Sequence, residues 1–287
     1  MLRLKPIIKT QDLTYTYSIG TPFEKTAIDK VNIEINQGEI VGVIGHTGSG
    51  KSTLIQHFNG LLRQTSGEIF IDGENIWEDK KNIRNVRFKV GLVFQYPEYQ
   101  IFEDTVFKDI SFGLKNMGLS KEDREKYVLE IADMLQISNL LEKSPFDLSG
   151  GQKRRVAIAG VMAMKPKVLI LDEPCASLDP LGRVQILSMI KEYHKKTNAT
   201  ILIVSHSMED MAEFADKILV MNKGKAFCFD DTPKVFNRAD ELVKIGLQVP
   251  QISRVFIKLK SMGYNIPNVY TTSQAVEVLK NMLQKKG

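Results

Sequence analysis

The sequence predicts an α/β fold that combines a parallel sheet with an antiparallel one. Two short apolar segments, Val168–Leu171 and Ile201–Val204, are typical of buried parallel strands, and helical periodicity from about Gly182 to Lys195 lies between them. Near the N-terminus the pattern instead alternates apolar and polar side chains, in Asp12–Tyr17, Val31–Ile35 and again in Gly67–Gly73. Such alternation indicates strands with one buried face, as in an antiparallel sheet.

A helical segment interrupts the α/β pattern in the middle of the chain. Between Thr105 and Met164 the apolar period becomes helical, and Ser120 with Asp123 forms a helix N-cap signal. One helix face carries the apolar residues Tyr127, Ile131, Met134 and Leu135. We therefore expect a main domain over residues 1–240 that contains a helical subdomain over about 96–165.

The residues after 240 predict a separate helical extension over 241–287. One helical stripe there contains Ile252, Val255, Phe256, Leu259 and Met262, and a second contains Val276, Leu279 and Leu283 after Thr271 and Gln274. These side chains are interpreted as packing residues that dock on the main domain or on a sister subunit. No chemistry is assigned to them.

Composition limits the class of protein. The chain has 287 residues, of which 43% are hydrophobic and 25% charged, and it contains no apolar run near the ~20 residues of a membrane-spanning helix. The start Met1–Pro6 lacks the apolar stretch of a secretory signal, and Cys175 and Cys228 do not suggest a disulfide framework, so we expect a reducing cytoplasm. The net charge is +5, but the basic residues are interleaved with acidic ones, and the densest basic cluster is the short segment Lys153–Arg155. We therefore expect no nucleic acid partner.

The strongest chemical signal is a glycine loop that comprises Gly45, His46, Thr47, Gly48, Ser49, Gly50, Lys51, Ser52 and Thr53. Its glycines let backbone N–H groups face an anion at a helix N-terminus. The pattern predicts that Lys51 reaches the β- and γ-phosphates of a nucleotide and that Ser52 helps to hold Mg²⁺. A buried strand, Glu39–Ile44, precedes the loop, and a helical pattern follows it at Leu54, Ile55, Phe58, Leu61 and Leu62. The alternative, a flexible glycine turn, would not explain Lys51 and Ser52.

A second signal is the acidic pair Asp172–Glu173, which directly follows the apolar strand at 168–171. Doubly wound α/β folds place their ligands at the carboxyl ends of strands. Asp172 is therefore predicted to join the Mg²⁺ coordination shell and Glu173 to act as the general base on the attacking water. A plain strand-to-turn boundary remains the alternative when this pair is taken alone.

A third signal is Leu148–Gln152, which reads Leu-Ser-Gly-Gly-Gln and precedes an amphipathic helix predicted to begin near Lys153. Its glycines and the Ser149 hydroxyl suit a second phosphate at a helix N-terminus. The chain already contains one phosphate-binding loop, so this second phosphate site is not explained by nucleotide binding to a single chain.

Together the three signals closely resemble the nucleotide-binding subunits of ATP-binding cassette transporters, over residues 1 to about 240. The resemblance implies a cassette fold with a RecA-like core, an antiparallel β subdomain and a helical subdomain, and with ATP and Mg²⁺ as ligands. It also implies a head-to-tail dimer, in which the phosphate loop binds ATP in one subunit and the signature residues Ser149, Gly150, Gly151 and Gln152 contact the ATP of the partner.

The resemblance also assigns roles to single residues. It implies that Tyr17 stacks on adenine, with Tyr15 a less suitable substitute, and that Gln95 contacts Mg²⁺ and the attacking water. Asp179, in Ser177–Asp179, matches the loop between the two ATP sites, and His206 matches the switch histidine at the γ-phosphate. The histidines outside this set, His46, His57 and His194, are expected at the surface or in loops rather than at a metal.

A finer resemblance is to the second ATPase of energy-coupling factor transporters. It is carried by Gly20–Glu24, by the glycine loop and by Gln95–Thr105, and the C-terminal extension agrees with it. It implies a second, homologous ATPase, a membrane scaffold and exchangeable substrate-binding membrane proteins for vitamins or transition-metal ions, at the cytoplasmic face of the membrane. One departure is Cys175-Ala176-Ser177, where relatives commonly carry Thr-Ala-Gly.

Three alternatives stay open at this stage. A conventional importer ATPase or an exporter subunit would share the motifs. A non-transport cassette protein would often contain two tandem cassettes or long coiled coils, and the sequence shows neither.

Overall fold

The computed structural model describes residues 5–79 and 82–284, so the first four and last three residues of the predicted domains lie outside the described part. The strands are β1 Pro6–Tyr17, β2 Lys25–Asn36, β3 Ile40–Ile44, β4 Ser66–Ile71, β5 Glu74–Asn75, β6 Val90–Val93, β7 Val168–Asp172, β8 Thr200–Val204, β9 Lys217–Asn222 and β10 Lys225–Asp231. The helices are α1 Lys51–Phe58, α2 Ile83–Lys89, α3 Val106–Asn116, α4 Lys121–Met134, α5 Gly150–Met162, α6 Pro180–Thr197, α7 Met208–Phe214, α8 Thr232–Phe236, α9 Ala239–Lys244, α10 Gln251–Ser261 and α11 Thr272–Gln284.

The strands form the two sheets that the sequence predicts. One sheet is antiparallel, in the order β2-β1-β4-β5. The other has the order β10-β9-β3-β8-β7-β6, and all its pairs are parallel except β9 with β10. The predicted α/β fold is confirmed.

The side chains of the central strands alternate between the two faces of the parallel sheet, so the hydrophobic core has two parts, one on each face. Val41 and Val43 of β3 pack with the antiparallel sheet and with α1, whereas Ile40 and Ile44 pack in the cluster that contains the helices α3–α7. Successive side chains of a strand point to opposite faces, so five buried residues in a row supply both cores.

The register of the strands in this sheet aligns the carboxyl ends of β3, β8, β7 and β6. Val204 of β8 pairs with Val43 of β3 on one side and with Asp172 of β7 on the other, and Leu171 of β7 pairs with Val93 of β6. The four strands therefore end at nearly the same level. The loops that follow them begin side by side.

Several predicted helix ends are shifted in the structure. The helix after the glycine loop ends at Phe58, so Leu61 and Leu62 lie beyond it, because Asn59 caps the helix and Gly60 takes a positive φ of 67°. The helix predicted near Lys153 begins at Gly150, because Ser149 and Gln152 form a capping box there. The predicted Ser120 cap of α4 is confirmed, since its hydroxyl accepts from Asp123 N at 3.1 Å.

The surface or loop placement predicted for the histidines is wrong for His57. His57 lies in α1 and is fully buried, with its Nδ1 2.7 Å from Thr53 O and its ring against Tyr15. His194 lies half-buried in α6, with its Nδ1 2.9 Å from Ala199 O. Both rings use a backbone carbonyl to satisfy Nδ1, and burial lowers the pKa of His57, which therefore packs as a neutral ring.

The C-terminal residues pack partly on the main body and partly on one another. Phe256 is 1% exposed in a small cluster with Ile266, Val269 and Ala275, and the Tyr270 ring stacks on Phe236 at 6.0 Å. Five of the eight predicted stripe side chains are exposed instead, namely Val255, Met262, Val276, Leu279 and Leu283. The division of the chain at residue 240 stays a prediction. In the part of the chain that the structure describes, no helix is both long and apolar enough to cross a membrane.

Candidate functional site

The glycine loop joins the carboxyl end of β3 to the first turn of α1, as predicted. Gly50 has φ 103°, and a Cβ there would lie 2.6 Å from Ala27 O, so only glycine fits. Gly48 has φ 77°, with open space where a side chain would lie. The loop is tied down by Ser49 N, which donates to His46 O at 3.1 Å, and by Leu54 N, which donates to Gly50 O at 2.8 Å. This backbone leaves an anion free access to the helix N-terminus.

Lys51 is buried within its own loop. Its ammonium donates to Gly45 O at 2.7 Å and to His46 O at 3.1 Å, and the residue is 6% exposed. Burial lowers the pKa of Lys51, whereas the nearby charges of Glu173 and Asp172 raise it. The side chain is therefore held at the mouth of the loop, in contact with two backbone carbonyls.

The acidic pair lies at the end of β7, where Asp172 is the last strand residue and Glu173 follows it. The two carboxyls have different surroundings. Asp172 is buried, and burial raises its pKa although a hydrogen bond from the Ser52 side chain and the charge of Lys51 oppose the shift. Burial, followed by the charge of Asp172, raises the pKa of Glu173 to about 7. Asp172 thus contacts the phosphate-loop helix, while Glu173 is poised near neutral pH, as a general base requires.

Glu173 also has an unusual backbone conformation. Its φ is 52°, in the left-handed region, and its N–H donates to Val204 O at 3.0 Å, which anchors it to β8. A left-handed residue other than glycine costs about 1–2 kcal/mol. The strained backbone thus lies at the point where the site forms.

His206 approaches Glu173 from the neighbouring strand. Its Nε2 lies 3.4 Å from Glu173 Oε1, a buried oxygen without a hydrogen-bond partner in the described structure. Burial, followed by the charge of Lys51, lowers the pKa of His206, whereas the pKa of Glu173 is raised. These opposite shifts disfavour an ion pair between the two groups at neutral pH, so we interpret the contact as a neutral imidazole beside a carboxyl.

One cavity of about 290 Å³ collects these groups. It is lined by Thr47, Gly48, Gly50, Lys51, Ser52, Thr53, Gln95, Asp172, Glu173, Val204 and His206. The three predicted catalytic residues, Glu173, His206 and Gln95, therefore meet at one place although they follow three different strands. Their roles stay predictions, but their convergence is an observed geometry.

Other predicted ATP-binding residues lie around this cavity rather than on its lining. Gly45 and Ser49 of the loop are buried, and His46 is half-buried, with its Nε2 3.0 Å from Asn222 Oδ1. Tyr17 stands at the end of β1, 38% exposed, and its hydroxyl lies 3.2 Å from Thr53 Oγ1. The structure thus places an exposed aromatic ring next to α1, where an adenine contact is predicted.

The signature residues do not line the cavity. They form the first turn of α5, where Ser149 Oγ accepts from Gln152 N at 3.4 Å and Gln152 Oε1 accepts from Ser149 N at 3.0 Å. A Cβ added to Gly150 or Gly151 would meet no atom within 4 Å. Packing within this chain therefore does not explain the two glycines, and an external group that approaches the backbone closely would explain both.

Asp179 has a local role that sequence reasoning missed. It caps α6, and its Oδ1 accepts from Gly182 N at 2.7 Å. The pattern Asp-Pro-Leu-Gly carries this signal, since an N-cap followed by proline at the first helical position is a common helix start. The predicted role between the two ATP sites is not tested by this cap.

Two paired arginines were also missed, namely Arg154, which is buried, and Arg183, which is half-buried. Arg154 donates to both carboxylate oxygens of Glu98, and Arg183 donates to both oxygens of Asp210. In the segment that carries the Arg154 partner, Pro97 is buried and the Glu98 side chain is 17% exposed, whereas Tyr99 is 85% exposed. The sequence signalled Arg154 only as part of a short basic cluster, and its partner lies 56 residues away.

Comparison with known proteins agrees with this geometry. The ABC transporter family profile matches residues 28–176. EcfA2, the energy-coupling factor transporter ATP-binding protein of Clostridium tetani, is 53% identical over 283 residues, covering 98% of each chain. The protein of the same name from Clostridium perfringens is 52% identical over 283 residues, covering 98% of this chain and 99% of that one.

Two solved structures are similar as well. The structure of cbiO1 from Clostridium perfringens, described as part of the ABC transporter complex cbiONQ, has a TM-score of 0.75 and 38% identity and covers 88% of this chain and 99% of that chain. The cassette MJ0796, solved as a dimer in a post-hydrolysis state with ADP and Pi, has a TM-score of 0.71 and 29% identity over 78% of this chain and 98% of that one. The chain therefore belongs to the ATPases of the ATP-binding cassette transporter family, among the energy-coupling factor ATP-binding proteins. It is an ATP-binding, ATP-hydrolysing protein of the transport class.

The departure at Ser177 has a physical consequence in this structure. Ser177 has φ 61°, the left-handed conformation that glycine adopts without strain. The loop that follows Glu173 is thus strained at the position where the family resemblance led us to expect glycine.

We predict that Ser177→Gly stabilises the protein. Relief of the left-handed strain exceeds the extra chain entropy of glycine, so the free energy of unfolding should rise by about 0.5–1 kcal/mol in urea denaturation. Ser261→Gly, at the end of α10 where φ is not positive, is the matched control and should be neutral or destabilising. A Ser177→Gly protein less stable than wild type would contradict the strain argument.

Proposed function

We propose that this chain is one of two ATPase subunits that power an energy-coupling factor transporter. The observation that carries the proposal is the pairing of a complete nucleotide cavity with a separate, glycine-exposed signature helix that faces outward. Similarity to EcfA2 proteins over nearly the whole chain supports the subclass. The transported molecules are vitamins or transition-metal ions, which contact substrate-binding membrane proteins rather than this chain.

In this proposal the phosphate loop binds the ATP phosphates through backbone N–H groups, and Lys51 leaves its two loop carbonyls to contact the β- and γ-phosphates. Tyr17 stacks on the adenine. The signature turn of α5 contacts the ATP of the second ATPase, which accounts for glycines that this chain's own packing leaves unexplained. Each ATP then lies between two subunits.

The residues at the cavity fit a divalent cation. A hydroxyl, an amide and a carboxylate, from Ser52, Gln95 and Asp172, line the same cavity, and oxygen donors of this kind are the ligands that Mg²⁺ prefers. When bound, Mg²⁺ neutralises charge on the phosphate oxygens. We propose these three residues as its protein ligands.

Hydrolysis uses the groups that converge at the end of β7 and β8. Glu173, with its pKa raised to about 7, accepts a proton from the attacking water. His206 contacts Glu173 and donates a hydrogen bond toward the γ-phosphate. Closure of the dimer on ATP and its opening after product release move helices of the membrane scaffold, at the cytoplasmic face of the membrane.

The scaffold contact is proposed at the segment Gln95–Thr105, because it follows Gln95 and presents exposed aromatic rings. Tyr99 is 85% exposed and Phe102 57% exposed. Glu98 is not proposed as part of this surface, since it is paired with Arg154. A membrane helix that packs on these rings would be linked through a few residues to the nucleotide cavity.

Glu173→Gln tests the ATPase mechanism. The amide keeps the shape of the side chain but cannot accept the proton, so ATP hydrolysis by the assembled complex should fall by at least about 100-fold while ATP binding persists. Binding is measured by equilibrium titration with labelled ATP and turnover by phosphate release. Glu192→Gln, which removes only a surface ion pair with Lys196, is the matched control. Unchanged hydrolysis in Glu173→Gln would remove Glu173 as the general base.

Tyr99→Ala tests the scaffold contact. Loss of an exposed ring should reduce co-purification of the membrane scaffold with the ATPases, without a change in ATP binding by the isolated chain. Leu129→Ala, which truncates another exposed apolar side chain on α4, should leave recovery unchanged. Wild-type recovery of the scaffold and wild-type transport with Tyr99→Ala would place the contact elsewhere.

A further inference from the structure

Arg154 joins three functional segments through one buried guanidinium. The residue is 2% exposed and lies on α5, five positions after Ser149. Its Nε and Nη2 donate to the two carboxylate oxygens of Glu98 at 3.2 and 3.0 Å. Its Nη1 donates to the carbonyls of Pro174, at 3.4 Å, and Ala176. The planar guanidinium thus contacts a side chain of one segment and the backbone of another.

The segments that Arg154 contacts lie next to Gln95 and Glu173, the two residues that we propose near the γ-phosphate of ATP. Glu98 lies in the short 3₁₀ helix Pro97–Gln100, three residues after Gln95. Pro174 and Ala176 lie in the loop directly after Glu173. The helix that carries Arg154 begins with the signature turn. A shift of any one of these segments therefore changes the hydrogen bonds to the other two.

The loop between Glu173 and Asp179 needs such an external support. Its two left-handed residues, Glu173 and Ser177, are strained, and its internal bonds are short turns such as Ala176 N to Glu173 O at 3.1 Å. Arg154 holds two carbonyls of this loop from outside. The position of the Glu173 carboxyl is thus partly set by a side chain that does not line the cavity.

We propose that Arg154 and Glu98 position the loop after Glu173, so that hydrolysis depends on where the 3₁₀ helix after Gln95 lies. The inference rests on the proposed function, because it links the proposed scaffold contact at Tyr99 to the proposed general base. Stability alone is a weak reason for such a pair, since buried ion pairs are often replaceable by apolar side chains without loss. A lysine cannot replace the arginine either, because one ammonium lacks the fork geometry that reaches both loops.

The test uses the assembled transporter and three changes: Arg154→Lys, Glu98→Gln and the double change Glu98→Leu with Arg154→Met. For each complex we measure kcat and KM for ATP hydrolysis and the unfolding temperature. The single variants should lower kcat by about tenfold to a hundredfold, because Glu173 is misplaced, while KM for ATP changes less than about twofold. The double variant should have the unfolding temperature of the wild type, because apolar side chains replace the buried ion pair. Its kcat should nevertheless be as low as that of the single variants.

The control is Glu130→Gln, which removes the exposed ion pair of Glu130 with Lys165 in the same helical region and should leave all three quantities unchanged. Wild-type kcat in Arg154→Lys, or recovery of kcat together with stability in the double variant, would overturn the proposal. Failure of all three variants to assemble would also overturn it, because the pair would then serve folding rather than positioning. An inactive wild-type complex would instead contradict the proposed function itself.

Discussion

Parallel pairing of β3, β8, β7 and β6 is the constraint on which the rest of the site depends. Val43, Val204 and Asp172 lie abreast across three strands, and Val93 pairs with the residue before Asp172. The glycine loop, His206, Glu173 and Gln95 follow these positions by one or two residues. No single loop creates the site; the common level of four strand ends creates it.

The same constraint produces the electrostatics of the site. It brings Lys51, Asp172 and Glu173 together in a partly buried place, where each charge changes the others. Burial lowers the pKa of Lys51 and raises that of Glu173 to about 7, with Asp172 as the second cause of the latter shift. Charged groups held this close without full pairing are typical of sites that bind a charged ligand. Oε1 of Glu173, which has no hydrogen-bond partner among the described residues, agrees with that interpretation.

Much of this could be predicted from the sequence because the signals are local. Buried strands, the glycine loop and the acidic pair each occupy a few consecutive residues, and the carboxyl-edge rule for α/β folds then predicts that they meet. Capping at Ser120 is equally local. The finer resemblance to energy-coupling factor ATPases is supported by the relatives, whereas the partner contacts stay proposals.

The parts that could not be predicted depend on distant pairing. Arg154 was recognised only as part of the short basic cluster Lys153–Arg155, because nothing near it in the sequence indicates a pairing with Glu98, which lies 56 residues away. His57 was expected at the surface because its type suggests polarity, but its position on the inner face of α1 places it under Tyr15. The early start of α5 was missed because glycines weaken a helical pattern, although the Ser149–Gln152 capping box offsets them.

The measurement that tests the central claim most directly is purification of the tagged chain from gently solubilised native membranes, followed by mass spectrometry of every stoichiometric partner. The account predicts a second, different cassette ATPase, a membrane scaffold and small membrane proteins whose bound molecules identify the substrates. Recovery with only an identical ATPase and ordinary permeases, or with ribosomal or DNA-associated proteins, would contradict it.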